Sequence, residues 1–209
     1  FTHYSRPFLD TVSAPDAEVE LALQFAQQCV DLDPRDAMGH WTLGRARFLA
    51  REHDQAIQSV NRSLAVNPNF AQGHYALGFI RAHMGVPTQA LPALADAERL
   101  SPFDPLLFAI EGSRAISLVI EGKYDEAAAW AVRATSEPNA HFHIQAIAAA
   151  CLALAHRHDE ARGYAKRACS AHPGYSIRVF ERSFPQKSAT HRELLAQALR
   201  SAGVPDGEP

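Results

Sequence analysis

The sequence contains one motif twice, 34 residues apart. Residues 39–47 read GHWTLGRAR, and residues 73–81 read GHYALGFIR. A proline follows each copy at the same spacing, at Pro68 and Pro102. A period of 34 residues is typical of a pair of antiparallel helices that stacks on further copies because it cannot bury its apolar face alone. The period therefore predicts an all-α protein, a right-handed α-solenoid of helix hairpins.

Small residues mark the second helix of each predicted pair. Alanines return at Ala56, Ala90, Ala127 and Ala161, where two helix backbones must approach closely. Prolines in the connections end the helices, since proline lacks an N–H donor and disfavours helical geometry in the residue before it. We predict a repeat array over residues 16–173, which consists of a half-repeat at 16–33 and four repeats at about 36–67, 71–101, 105–137 and 140–172.

The two ends of the chain differ from this array. Residues 1–15 show no helical period, so we expect an irregular N-terminal segment. Residues 174–209 predict a short helix, a longer C-terminal capping helix and a tail. No segment alternates polar and apolar residues, and we expect no sheet.

Composition excludes several classes of function. The net charge is −3, which provides no basic footprint for nucleic acid. No apolar run reaches the length needed to cross a bilayer. Three sparse cysteines and the lack of a secretory signal favour a reducing, cytoplasmic location. The first residue is not methionine, which suggests a piece of a longer protein or a processed chain.

The repeats resemble the tetratricopeptide repeat over residues 16–173, and the turn at residues 121–127 (EGKYDEA) matches its pattern best. Residues 100–106 (LSPFDPL) and 199–205 (LRSAGVP) also look like the repeat regions that follow the catalytic domain of bacterial class III adenylate cyclases. Similar regions follow winged-helix domains in some bacterial regulators. The resemblance implies a regulatory part of a signalling protein whose output domain lies upstream.

The reactive side chains predict no catalytic, cofactor or metal site. His141 and His143, like His156 and His158, are two residues apart, so on a helix their rings point about 200° apart and cannot share an ion. The cysteines have no oriented base, and the sequence contains no glycine-rich phosphate loop. We therefore expect a chain that is not an enzyme and needs no cofactor.

Two polar residues recur at equivalent positions of successive repeats. His40 and His74 are expected to fill an aromatic slot and bond to a neighbour, with a pH switch or ligand site as the alternative. Arg47 and Arg81 are expected to pair with carboxylates or carbonyls, with capture of a partner's anion as the alternative.

The strongest candidate surface is the concave side, which the first helices of such a solenoid line. Aromatic residues and arginine dominate it, and these residue types contribute most to protein contacts. The alternatives are that the aromatic side chains only pack between repeats, or that the capping helix fills the groove. The predicted groove residues are Trp41, Arg45, Phe48, Gln72, Tyr75, Phe79, His83 and Ile116.

Together these features predict a non-catalytic interaction or regulatory module. Its partner would be a protein or peptide, or another domain of the same parent protein. Two alternatives stay open: the regulatory region of a cyclase or winged-helix regulator, and a small-ligand sensor, which requires an enclosed pocket in the groove. The identity of the partner and the oligomeric state are not encoded in any motif.

Overall fold

The computed structural model describes residues 1–207, and the last two residues of the predicted tail lie outside this part of the chain. Within residues 1–207 the chain forms twelve helices and no strand. The helices are α1 (Thr2–Phe8), α2 (Pro15–Leu32), α3 (Ala37–Leu49), α4 (His53–Val66), α5 (Ala71–Met84), α6 (Pro87–Leu100), α7 (Leu107–Ile120), α8 (Tyr124–Ala134), α9 (Phe142–Leu154), α10 (His158–Ala171), α11 (Ile177–Ser183) and α12 (Ala189–Ser201).

Four helix pairs make up the stack: α3 with α4, α5 with α6, α7 with α8, and α9 with α10. Small residues permit the close approach within a pair. A Cβ added at Gly44 would lie 2.5 Å from Val60 Cγ2, and one at Gly78 would lie 2.6 Å from Leu94 Cγ. Both glycines therefore lie inside helices and permit the two helices of a pair to pack closely.

Local sequence signals place the helix ends. The Asp36 carboxylate accepts hydrogen bonds from the backbone N–H groups of Met38 and Gly39, both at 2.9 Å, and so caps α3. Proline stands in the first turn of α6, at Pro87, where its missing donor costs least. Gly85 ends α5 with a φ of 80°, a left-handed conformation that glycine adopts without strain.

The first helices of the pairs form the inner layer of the stack. Helix α5 touches both α3 and α7, and α7 touches α9, whereas the main neighbours of α4, α6 and α8 are first helices on either side. Helix α2 packs against α3 and extends the stack at its N-terminal end. The inner layer α3, α5, α7 and α9 therefore lines the concave side.

The expectation that residues 1–15 are irregular is wrong for residues 2–8, which form helix α1. This helix has seven residues, contains Pro7 and has no side-chain cap, so no periodic signal marks it. Tertiary packing stabilises it instead, because Tyr4, Pro7 and Phe8 are buried against other elements.

Two helices, α11 and α12, follow the last pair. The Ser176 hydroxyl accepts a hydrogen bond from the backbone N–H of Val179 and caps α11. Helix α12 packs chiefly against α9, on the inner layer of the stack. Both ends of the chain thus return to the concave side that the repeats create.

Candidate functional site

Helix α1 lies in the concave groove and inserts two aromatic side chains four residues apart. Tyr4 and Phe8 pack on each other with ring centroids 5.7 Å apart, and both are buried. Phe8 also meets the edge of Phe184 at 5.3 Å. Phe1 stacks on Trp41 of α3 at 5.0 Å. The groove therefore already contains a helix of the same chain.

The C-terminal carbonyl of α1 is held from two sides. The Phe8 carbonyl accepts hydrogen bonds from the Ser183 hydroxyl and from His143 Nε2, both at 2.8 Å. Because a carbonyl only accepts, His143 carries its proton on Nε2, and Nδ1 accepts from the Tyr175 hydroxyl at 3.0 Å. Burial holds the pKa of His143 well below its ordinary range, so the ring is neutral at pH 7.

Residues 184–187 cross the same groove from the C-terminal side. The Pro185 carbonyl accepts from His53 Nε2 at 2.8 Å, and the Gln186 amide donates to His83 Nδ1 at 2.5 Å. Burial lowers the pKa of His83 to about 3, which keeps the ring neutral and able to accept this bond. This segment is thus attached to α4 and α5 through buried imidazoles.

Asp10 joins the two ends of the chain directly. Its carboxylate pairs with Arg182 of α11 and with His172 Nε2, the latter at 2.9 Å. The residue adopts a φ of 52°, an uncommon backbone conformation for a residue other than glycine. This ion-pair cluster fixes the turn after α1 against the C-terminal helices.

Between these covering segments and the inner layer lies a pocket of about 320 Å³. Its walls are nearly all apolar. They come from α1, α3, α5, α7 and α9, together with Phe184. Phe1, Pro105 and Asn139 line the pocket and are themselves exposed, so the pocket opens to solvent beside them. A volume of this size lies at the lower end of the range for small-molecule sites.

One cation lies in this apolar wall. The side chain of Arg45 is 3% exposed, and its guanidinium donates to the Tyr4 hydroxyl. It also lies 4.2 Å from the centroid of the Phe79 ring and 4.7 Å from that of Tyr4. Its Nε and Nη1 atoms are buried without a hydrogen-bond partner. Burial raises the pKa of Tyr4, an effect that the Arg45 charge opposes, so the phenol stays protonated.

The structure brings six of the eight predicted groove residues to this pocket. The six are Trp41, Arg45, Tyr75, Phe79, His83 and Ile116. Phe48 is fully buried beside the pocket, with its ring 4.8 Å from that of Phe79. Gln72 lies elsewhere and donates to the Asp104 carboxylate at 3.0 Å. A partner-binding role for these eight residues stays a prediction.

Sequence reasoning missed the residues that cover the groove. Tyr4 and Phe8 come from a segment expected to be irregular, and Phe184 from a connection between helices. The four-residue spacing of Tyr4 and Phe8, with Phe1 before them, was the one signal available. His141, which the sequence offers only as a candidate metal ligand, lines the pocket, and burial lowers its pKa to about 4.

The recurring polar residues have local partners. His40 Nε2 lies 2.9 Å from the Pro34 carbonyl, and His74 Nε2 lies 2.8 Å from the Pro68 carbonyl. Arg47 donates to the Ser59 hydroxyl at 2.8 Å. Arg81 donates to the Gln89 carbonyl at 3.3 Å. The structural interpretation of both pairs accounts for these contacts.

A metal cluster, a reactive buried thiol and a membrane-spanning helix are all absent among residues 1–207. Among residues 1–207 no group of three or more His, Cys, Asp or Glu side chains is placed to hold a metal ion. Burial raises the pKa of the Cys151 thiol to about 12, far from the reactive thiolate range. No helix within residues 1–207 is both long and apolar enough to span a bilayer.

Comparisons with known proteins identify the fold. No family model matches the sequence, and no curated protein matches it. Among solved structures, TTC0263, a tetratricopeptide-repeat protein of Thermus thermophilus, aligns with a TM-score of 0.67 at 20% identity, over 94% of this chain and 99% of that one.

Two further structures support the same result. YrrB, described as a tetratricopeptide-repeat protein with an unusual peptide-binding site, aligns with a TM-score of 0.52 at 17% identity, over 85% of this chain and 90% of that one. MamA AMB-1 aligns with a TM-score of 0.55 at 21% identity, over 83% of this chain and 99% of that one. The chain therefore has the fold of a tetratricopeptide-repeat solenoid, and the all-α fold class predicted from the sequence is confirmed.

Proposed function

We propose that this chain is a non-catalytic interaction module that binds a short helical peptide on its concave face, in the place that α1 occupies. The observation that carries the proposal is α1 itself. It is a helix whose Tyr4 and Phe8 side chains fill an aromatic groove made by the repeats. The expected peptide has two aromatic side chains four residues apart, which is the spacing of one helix face.

Similar folds support this choice of ligand. YrrB, which shares the fold, is described as having a peptide-binding site. The groove of this chain is lined by Trp41, Tyr75 and Arg45, the residue types that dominate binding energy at protein interfaces. A peptide from another domain of the parent protein would bind by the same contacts.

In this proposal α1 acts as an internal competitor. A segment joined to the array by a short connection has an effective concentration in the millimolar range. An external peptide must therefore displace α1, and any change that weakens α1 strengthens peptide binding. The hydrogen bonds to the Phe8 carbonyl and the ion pairs of Asp10 set the strength of this competition.

The test uses a fluorescent peptide with the sequence of residues 1–12. Its binding is measured by anisotropy to the full native chain and to the double variant Tyr4→Ala, Phe8→Ala. We expect the double variant to bind the peptide about tenfold more tightly or better, because its own α1 no longer fills the groove. A peptide with serine in place of Tyr4 and Phe8 serves as the control ligand.

Receptor variants locate the binding surface. Trp41→Ala, added to the double variant, is expected to weaken peptide binding, because Trp41 lines the pocket. Leu32→Ala is the control and is expected to leave peptide binding unchanged. Leu32 is 88% exposed and does not line the pocket. Circular dichroism confirms that each variant is folded. Equal peptide binding by the native chain and the double variant contradicts the proposal.

We also propose, on the sequence resemblance, that this array is the regulatory region of a cyclase or winged-helix regulator. Phe103 lies within the resembling segment 100–106 and is 96% exposed, which suits a contact with a neighbouring domain. The coding sequence upstream of Phe1 tests this directly. A cyclase or winged-helix domain there supports it, and an unrelated domain rejects it.

A small-ligand sensor is the third function that the sequence leaves open. The pocket of about 320 Å³, which opens to solvent beside Phe1, Pro105 and Asn139, supports this function because it has room for a small ligand. Its single buried cation then determines which ligands fit.

A further inference from the structure

The unusual feature of the pocket is a buried cation without an anion. Arg45 is 3% exposed, and among residues 1–207 no carboxylate forms an ion pair with it. Its contacts are the Tyr4 hydroxyl, the neighbouring Tyr75 phenol, whose pKa its charge lowers against the larger effect of burial, and the faces of aromatic rings. Aromatic faces attract a guanidinium, but they do not satisfy its N–H donors.

Other arginines of the chain show how a partly buried guanidinium is normally satisfied. Arg114 lies 4.3 Å from the Trp130 ring centroid, much as Arg45 lies over Phe79, but it also donates to the Glu98 carboxylate at 2.9 Å. Arg114 is 14% exposed. Arg45 is more deeply buried and lacks the carboxylate, although a buried charge without its counter-ion is costly.

A second unsatisfied donor lies in the same wall. The indole Nε1 of Trp41 is buried without a hydrogen-bond partner, and Trp41 lines the pocket with Arg45. Buried polar groups in folded proteins nearly always have partners, so unpaired donors around one cavity indicate a missing acceptor. Water is a weak explanation for Arg45, because water does not neutralise its charge.

The apolar side chains of the pocket wall indicate the chemistry of the ligand's body. Phe108, Ile116, Ile144 and Ile147 line the pocket and carry no polar side-chain atom. A second negative charge buried against these side chains would have no cation to pair with, at a large desolvation cost. A single negative charge on an apolar body fits the cation and the wall together.

We propose that the pocket binds a small monocarboxylate with an apolar body, its carboxylate on the free N–H groups of Arg45 and its body against the isoleucines of α7 and α9. Charge-assisted bonds from the guanidinium give the affinity for the acid group. The proposal goes beyond peptide binding, because the pocket exists with α1 in place and α1 forms part of its wall.

Isothermal titration of the full native chain tests the proposal with three probes: decanoate, decanol and 4-phenylbutyrate. Decanol has the same apolar body as decanoate without the charge. We expect at least one of the two carboxylates to bind with a dissociation constant below about 1 mM, and decanol to bind at least about tenfold more weakly than decanoate. Equal binding of decanoate and decanol overturns the proposal, as does the absence of binding by both carboxylates.

Two variants separate recognition from folding. Arg45→Met keeps an unbranched apolar stem and removes the charge, and it is expected to lower decanoate affinity at least about tenfold while leaving decanol affinity unchanged. Arg114→Met removes a paired arginine outside the pocket and is expected to leave decanoate affinity unchanged. Native-like decanoate binding by Arg45→Met overturns the proposal.

Thermal unfolding adds a readout that a merely structural arginine would not give. If the role of Arg45 is to bind a ligand, its unpaired charge destabilises the protein when no ligand is bound. Arg45→Met is therefore expected to melt at the same temperature as the native chain or higher. Decanoate is expected to raise the melting temperature of the native chain and not that of Arg45→Met. A large fall in the melting temperature of Arg45→Met without ligand contradicts the ligand role. Failure of the peptide experiment leaves these results unaffected, because they require α1 to remain bound.

Discussion

The contacts within the helix pairs and the concave face of the same solenoid are built in different ways. Within the pairs, small residues recur at the repeat period, and Ala56, Ala90, Ala127 and Ala161 are all 0% exposed. On the concave face, the covering side chains come from α1 and from the segment after α11, which do not repeat. The repeated contacts within the pairs thus stabilise the stack, and side chains that do not repeat cover its concave face.

The two regions also differ in chemistry. At the repeated small-residue positions, the pairs pack glycine against aliphatic side chains such as Val60 and Leu94. The concave face contains Arg45, His83 and His143, all buried. A buried polar group costs free energy unless it has a partner, so the close contacts at these repeated positions exclude such groups.

The largest expected loss of stability comes from the centre of the concave face. Phe184 contacts the rings of Phe8, Phe79 and His83, among others. Phe184→Ala is expected to lower the free energy of unfolding by about 3–5 kcal/mol, because it leaves a cavity where two chain ends meet. Urea denaturation measures the loss. The exposed Phe103 gives the control, with an expected change for Phe103→Ala within about 0.5 kcal/mol. If both variants change stability equally, the chain ends do not cover the groove in solution.

Substitution of the packing glycines tests the helix pairs at matched positions. Gly44→Ala and Gly78→Ala are each expected to cost about 1–3 kcal/mol, because the new Cβ would lie within 2.6 Å of Val60 or Leu94. Gly163→Ala in α10 should have the opposite sign, since its Cβ meets nothing within 4 Å. There alanine is expected to stabilise the chain by up to about 1 kcal/mol, measured by the same urea denaturation. A stabilising effect at Gly44 or Gly78 would show that the pairs are loosely packed.

Acidification should change the contributions of the two regions to stability in opposite directions, through His83 on the concave face and Glu111 in a helix pair. Burial lowers the pKa of His83 to about 3, so its contribution to stability is present above about pH 6.5 and is lost as the pH falls. Burial also raises the pKa of Glu111 on α7 to about 7, although its 2.6 Å ion pair with Arg133 opposes this shift. The contribution of Glu111 to stability is therefore fully present below about pH 4.5 and is lost as the pH rises through about 7.

Urea denaturation at about pH 7.5 and about pH 5.5 measures these contributions. His83→Gln is expected to lose about 1 kcal/mol less than the native chain on acidification, because the glutamine does not titrate. Glu111→Gln is expected to lose about 1–2 kcal/mol more, because the native chain gains stability when Glu111 takes up a proton. Identical losses in all three proteins would show that neither group has a shifted pKa.

The smallest expected effect lies in the connections between repeats. His40→Ala and His74→Ala each remove one hydrogen bond to the carbonyl of the proline six residues earlier, at 2.9 Å and 2.8 Å. Each is expected to cost about 0.5–1.5 kcal/mol by thermal unfolding. Similar values support a structural role for both. A change in ligand binding at either position without a change in stability supports the alternative, a ligand site.

The sequence was informative where the chain repeats. The helix pairs are predicted by the 34-residue period, by the glycines at 44 and 78 and by the recurring alanines. Identical packing requires the same residue type at the equivalent position of each repeat. The same reasoning places Trp41, Tyr75 and Arg45 on the concave side, where all three line the pocket.

The sequence was uninformative where contacts are made once. Helix α1 is too short to show a period, and its stability depends on Ser183 and His143, which lie more than a hundred residues away. No local pattern predicts that Phe184 meets Phe8, or that Arg45 lacks a carboxylate. Such contacts depend on how the solenoid curves, which follows from the sum of all its packed pairs.

The most direct test of the covered concave face is a nuclear Overhauser measurement on the free chain in solution. Cross-peaks are expected from the Phe8 ring protons to those of Phe184 and Phe79, whose ring centroids lie 5.3 Å and 6.5 Å away. If Phe8 instead shows contacts only within residues 1–15, α1 is not in the groove, and neither the covered concave face nor the pocket it encloses exists.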